Sequence, residues 1–168
     1  MIRPVQAGIG RLLIGIAAAV AWIGFDIGRA VHATEPVPSD LVTVYKNPQC
    51  GCCGQWVSHL RAQGFEVVVH DVADTTKQRA QLGVPAALGS CHTATVNGYV
   101  IEGHVPAADI RQLLRQKPAV VGIAVPGMPA GSPGMESSTP VAYQTQAFTK
   151  DGKTSIFAEH PPAPKAGD

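Results

Sequence analysis

Charge is scarce in this chain of 168 residues: acidic and basic side chains make up 15% and sum to a formal +1. No long-range field therefore gathers nucleic acid or an anionic membrane, and any partner must be recognised at a local site. Also missing are a glycine-rich phosphate loop of the Gly-x-Gly-x-x-Gly type, a nucleophile elbow and a His-Glu-x-x-His helix. Nucleotide-binding, esterase-type and zincin readings fall with them. Paired Cys-x-x-Cys knuckles of the usual zinc kind are absent too, because only one such spacing occurs and an extra cysteine interrupts it. What is present is a 45% hydrophobic composition, enough for one ordinary packed domain.

The first residues carry Arg3 and Arg11, no acid before Asp26, the uncharged apolar run Leu12 to Phe25, and then Val31-His32-Ala33. That is a signal-peptide layout with a cut after Ala33. The run falls short of the ~20 apolar residues that ~30 Å of hydrocarbon requires, so cleavage is expected, with an uncleaved anchor as the alternative. The expected division is a signal peptide over 1–33, a polar linker over 34–40, a folded domain over 41–160 and a disordered tail over 161–168. Export places the protein in the periplasm, with no membrane contact after cleavage. Cysteines there either pair or are held by a metal.

Leu41 to Tyr45 reads as a buried strand closed by Asn47-Pro48, and a helix from about Cys52 to Ala62 carries Trp56, Val57 and Leu60 on one face. A second strand covers Phe65 to His70, and Asp74 is placed to cap a helix from Thr75 to about Leu82. Cys91 to Val96 and Tyr99 to Glu102 flank Asn97-Gly98, a strong hairpin signal. Pro106 at the first helical position opens a helix over Ala107 to Gln116, with Ile110, Leu113 and Leu114 inward. The order β-α-β-α-β-β-α is that of an α/β thioredoxin-like domain with a mixed sheet. Beyond it come a Gly/Pro/Met loop from Val125 to Glu136, with Pro-Gly-Met twice, and a C-terminal β-hairpin pairing Val141–Thr149 with Thr154–Glu159.

All four cysteines of the chain are Cys50, Cys52, Cys53 and Cys91. Three crowd one short stretch, a poor arrangement for disulfides meant to tie distant loops together. A helix N-terminus there would favour thiolates. Counting back from Val96 opposite Tyr99 puts Cys91 opposite His104, and a thioredoxin-like fold brings the entry of that strand beside the first helix. Converging thiolates suit Cu(I), Zn(II) or an iron–sulfur cluster, and the spacing ranks copper above zinc. Met128 and Met135 are either additional thioether ligands or loop packing. His104 is a candidate ligand or orienter, and Glu102 either orients that imidazole or stands in solvent. Strand alternation turns His92 away from Cys91, and His59 reads as a surface histidine. His32 leaves with the signal; His70 and His160 have no partner by spacing. A second reading stays open, in which Cys50 and Cys53 form the Cys-x-x-Cys pair of a thiol–disulfide oxidoreductase.

The run Tyr45-Lys46-Asn47-Pro48-Gln49-Cys50-Gly51-Cys52-Cys53, the triplet Cys91-His92-Thr93, the run Glu102 to Ala107 and the loop Gly127 to Glu136 resemble the CopG-like family of exported copper-resistance proteins. The resemblance spans Leu41 to about His160. It implies a thioredoxin-like fold, several copper ions bound by Cys50, Cys52, Cys53 and Cys91, and periplasmic residence. It also implies a part in copper tolerance with redox interconversion of the bound copper, alongside other periplasmic copper-handling proteins.

Overall fold

The computed structural model describes residues 40–162. The signal segment, all of the linker except Asp40, and the tail beyond 162 lie outside the described residues. The described chain runs β1 (Leu41–Lys46), α1 (Gly51–Ala62), β2 (Glu66–Asp71), α2 (Thr76–Gln81), a 3-10 turn at Ala86–Leu88, β3 (His92–Val96), β4 (Tyr99–Glu102), α3 (Ala107–Gln116), β5 (Gly122–Ala124), β6 (Tyr143–Phe148) and β7 (Thr154–His160). Among the described residues no helix is long and apolar enough to cross a membrane.

The strands form one seven-stranded sheet in the order β2-β1-β3-β4-β5-β6-β7. β1 pairs parallel with β2 and antiparallel with β3, and β3 pairs antiparallel with β4. The hairpin register is the one that counting from Asn97-Gly98 gives, with Val96 opposite Tyr99 and Thr93 opposite Glu102. Asn97 and Gly98 both take positive φ, 47° and 83°, as a two-residue turn matching the strand twist requires. β5 is an addition to the expected order: it lies parallel to β4 and antiparallel to β6, and so joins the C-terminal hairpin to the sheet.

Periodicity accounts for the core. Trp56, Val57 and Leu60 of α1 and Ile110 and Leu113 of α3 are buried with Val42, Val44, Ala94, Val96, Ile101 and Ile123 of the strands. Alternation sends Val100, Ala124 and Phe148 to a second cluster with Val84 and Leu88. The two helices thus cover one face, and the stretch after α2 covers part of the other. Two cap expectations shift. Pro106 stands just before the first turn of α3 rather than inside it. Asp74 does not cap α2 directly; its carboxylate accepts from the Thr76 N–H and hydroxyl at 3.0 and 2.8 Å, with Thr75 between it and the helix.

Candidate metal centre

The site is built where β1 ends. Asn47 Oδ1 accepts from the Gln49 N–H at 2.8 Å, and Asn47 O accepts from the Cys50 N–H at 3.0 Å, so the chain turns sharply into α1. Cys50 takes the N-cap position with no side-chain cap, and the first turn of α1 holds no acid. Trp56, fully buried, donates its indole N–H to the Val105 carbonyl at 2.8 Å, which ties α1 to the segment carrying His104.

Cys91 enters from the other side, in the bend before β3. The sulfurs of Cys50, Cys52, Cys53 and Cys91 all lie within 4.8 Å of one another. Cys50 Sγ is 3.5 Å from Cys52 Sγ, which is 4.0 Å from Cys91 Sγ. The structure joins Cys50 and Cys53 in a disulfide and leaves Cys52 and Cys91 free. The expectation of four open thiols is met only at two positions in this form: the helical Cys-x-x-Cys spacing brings its ends close enough to bond.

His104 Nε2 stands 3.0 Å from Cys91 Sγ, and its Nδ1 is 2.9 Å from the Pro133 carbonyl. A carbonyl only accepts, so Nδ1 carries the proton and Nε2 offers a lone pair to the sulfurs. Burial holds the His104 pKa below the ordinary histidine value and so favours that neutral form. Burial, then the neighbouring Cys52, push the Cys91 thiol up to about 12. It is therefore protonated at neutral pH, and a metal must displace that proton to bind it.

Two sequence expectations are corrected here. His92 does not turn away: its Nδ1 lies 3.3 Å from Cys91 Sγ, and the ring is fully buried between Trp56 and His104, with centroids 4.3 and 5.0 Å away. Alternation governs residues inside a strand, and Cys91 precedes β3. A Cys-His pair at a strand entry was the signal available. Glu102 neither orients His104 nor meets solvent. It is fully buried, accepting from Arg79 Nε at 2.8 Å, the Ser90 N–H at 2.6 Å and the Thr93 hydroxyl at 2.5 Å. Its carboxylate thus clamps the chain on both sides of Cys91.

The Gly/Pro/Met loop lies over this end of the molecule. Ser90 Oγ donates to the Gly127 carbonyl, and the Gly127 N–H donates to the Gly89 carbonyl at 3.3 Å. Gly134, at φ 83°, sits so close to α1 that a Cβ there would meet Cys52 O at 2.7 Å and Trp56 N at 2.8 Å. Met128 is exposed and Met135 half-buried in that loop.

The remaining histidines are less bland than their spacing. His59 Nε2 accepts the Ala107 N–H at 3.2 Å, so it satisfies the start of α3. His160 Nε2 is 2.9 Å from Asp109 Oδ2 and 3.1 Å from Thr145 Oγ1, and His70 stacks on Tyr45 at 5.3 Å.

His92 sets an acid limit on stability. Burial, with His104 as the next cause, lowers its pKa from 6.5 to about 3. The unfolded chain therefore binds more protons between those values, and stability falls as pH drops from about 6.5 toward about 3. Urea unfolding across that range is expected to show this loss, reduced in His92→Gln.

The family model described as "Protein of unknown function, DUF411" matches residues 88–135. No curated protein matches the chain. Two solved structures, described as "Copper resistance protein copG", Form 1 and Form 2, each share 48% identity with it at a TM-score of 0.69, covering 73% of this chain and 98% of theirs. The matched family segment contains Cys91, His92, His104 and most of the loop, and identity at this level over nearly the whole of those structures shows common descent. The chain belongs to the CopG-like family.

Proposed function

We propose that this is an exported periplasmic protein of copper resistance, whose thioredoxin-like domain holds Cu(I) on the thiolates of Cys50, Cys52, Cys53 and Cys91 as a multinuclear cluster. The observation that carries the reading is the meeting of all four sulfurs within 4.8 Å, from two remote stretches of chain. Thiolates are soft donors and select Cu(I) over harder ions. The donor set also fits through its surroundings: His104 presents an unprotonated nitrogen to the same sulfurs, held by Pro133 as a ligating histidine is held by an outer partner. The thioredoxin-like assignment is supported by the order β2-β1-β3-β4 with parallel β1/β2 and antiparallel β3/β4. The copper assignment is supported by the copper-resistance proteins it matches. Export rests on the apolar segment and the Val31-His32-Ala33 cut. Metal analysis of protein reduced and purified without oxygen tests the proposal, and more than one copper per chain is the expected result.

One observation favours a second reading. The Cys50–Cys53 disulfide at the start of α1 is the arrangement that thiol–disulfide exchange uses. Under that reading the purified protein holds no copper and turns over a disulfide substrate. Cys52 and Cys91 argue against it, since two free sulfurs beside the exchanging pair would trap mixed disulfides.

We assign Met128, which faces solvent, and Met135, half-buried in the same loop, to copper capture by the loop and not to its final retention. Replacing both with Leu keeps their volume. The double variant is expected to retain the full copper complement and fold, while copper uptake from a Cu(I) donor slows several-fold in stopped-flow.

A further inference from the structure

The cysteine-rich end holds two overlapping donor sets, and one of them needs neither Cys50 nor Cys53. Closing the disulfide removes those two sulfurs as thiolates. Cys52 stays free with its sulfur 4.0 Å from Cys91 Sγ, and Cys91 Sγ, His92 and His104 form a set of their own, each offering a ligand atom within 4.8 Å of the others. The sulfur stands 3.3 Å from His92 Nδ1 and 3.0 Å from His104 Nε2. A tetrahedral ion with a Zn–S bond of about 2.3 Å and Zn–N bonds of about 2.0 Å needs S···N separations of about 3.5 Å. The three donors reach that spacing by moving a few tenths of an ångström.

Two further observations say that these nitrogens face a ligand. His104 already has the outer partner of a ligating imidazole in Pro133. His92 is fully buried, its Nε2 has no hydrogen-bond partner, and its Nδ1 faces Cys91, with the Gly103 backbone as a further polar neighbour of the ring. Leaving a buried ring so poorly satisfied is uncommon unless the group has another task.

We infer that the disulfide form binds one borderline divalent cation of the zinc class through Cys91, His92 and His104. Mixed sulfur and imidazole donors suit Zn(II), whereas the all-thiolate set of the reduced form suits Cu(I). The same end of the fold thus changes its metal preference with the state of Cys50 and Cys53. The inference shares Cys91 and His104 with the copper reading, but it is tested in a form in which two of the copper-reading sulfurs are bonded to each other, so either can fail without the other.

The test uses the oxidised protein, shown by thiol titration to have two free cysteines, with Co(II) and Zn(II) as probes. One Co(II) per chain is expected, with a sulfur-to-cobalt charge-transfer band and paramagnetically shifted signals from two imidazoles, all displaced by Zn(II). His92→Gln and His104→Gln should each weaken Co(II) binding by at least about 10-fold, and Cys91→Ser should remove the charge-transfer band. Cys50→Ser/Cys53→Ser should bind Co(II) like the oxidised parent while losing multiple-copper binding. Co(II) binding that requires Cys50 and Cys53, or that shows no imidazole signals in the unaltered chain, would overturn the inference. The imidazole signals are read without mutation, so a misfolded His92 variant leaves the test intact.

Discussion

Cys91→Ser is expected to reduce the copper held by the anaerobically purified protein from several ions per chain to one or none. Of the four cysteine sulfurs brought together among the described residues, that of Cys91 comes from outside the start of α1. A multinuclear thiolate cluster needs sulfurs that bridge ions from different directions, and Cys50, Cys52 and Cys53 all project from one short stretch. A serine hydroxyl is too hard a donor to replace the thiolate for Cu(I). The loss in a Cu(I)-chelator competition should therefore exceed the ~10–100-fold typical of removing an outer partner. The fold should survive, because Cys91 is only half-buried and outside the apolar clusters. Thermal unfolding of the metal-free variant should match the parent within about 1 kcal/mol. The two functional readings part at this residue: an exchanging Cys50–Cys53 pair would keep its disulfide chemistry without Cys91.

Much of this site can be read in the chain because it depends on local rules. Asn97-Gly98 sets the hairpin register, and the register by itself brings Cys91 to His104. The burial of Trp56, Leu60, Ile110 and Leu113 follows from helical periodicity. What resists reading depends on partners remote in sequence. Gly122–Ala124 is too short for any period, and it becomes a strand because β4 and β6 flank it. Gly134 is one glycine among several in its loop until α1 is placed against it. The Cys50–Cys53 bond reflects oxidation state, which spacing permits without dictating. His92 escapes because a rule for strand interiors was extended to a residue pair at the strand's edge.

Glu102 is the clearest case of a role hidden from sequence, and its removal should have the largest effect on stability. The carboxylate is fully buried, and its ion-pair partner Arg79 is 18% exposed. Burial raises the Glu102 pKa, while Thr93, the Ser90 N–H and Arg79 all oppose that rise. Glu102→Ala strands the Ser90 N–H and the Thr93 hydroxyl and leaves the guanidinium without its counter-ion, held only by the Thr75 hydroxyl and the Ser90 carbonyl. Breaking a buried pair costs about 3–5 kcal/mol, and the partial exposure of Arg79 places the expected loss near 3. The second consequence concerns metal. Ser90 precedes Cys91 and Thr93 follows it by two, so without the clamp Cys91 loses its fixed approach to the other sulfurs. Copper affinity should fall at temperatures where the variant is still folded, and Cys91 should alkylate faster while Cys52 changes little. Arg79→Leu/Glu102→Leu separates the two effects. Removing both charges together should recover part of the stability, since no ion is left unpaired, but the Ser90 and Thr93 tethers stay broken. Copper affinity should therefore remain low in the double variant. Recovery of affinity along with stability would mean that the unpaired Arg79 charge left by Glu102→Ala, and not the loss of the clamp on Ser90 and Thr93, displaces Cys91.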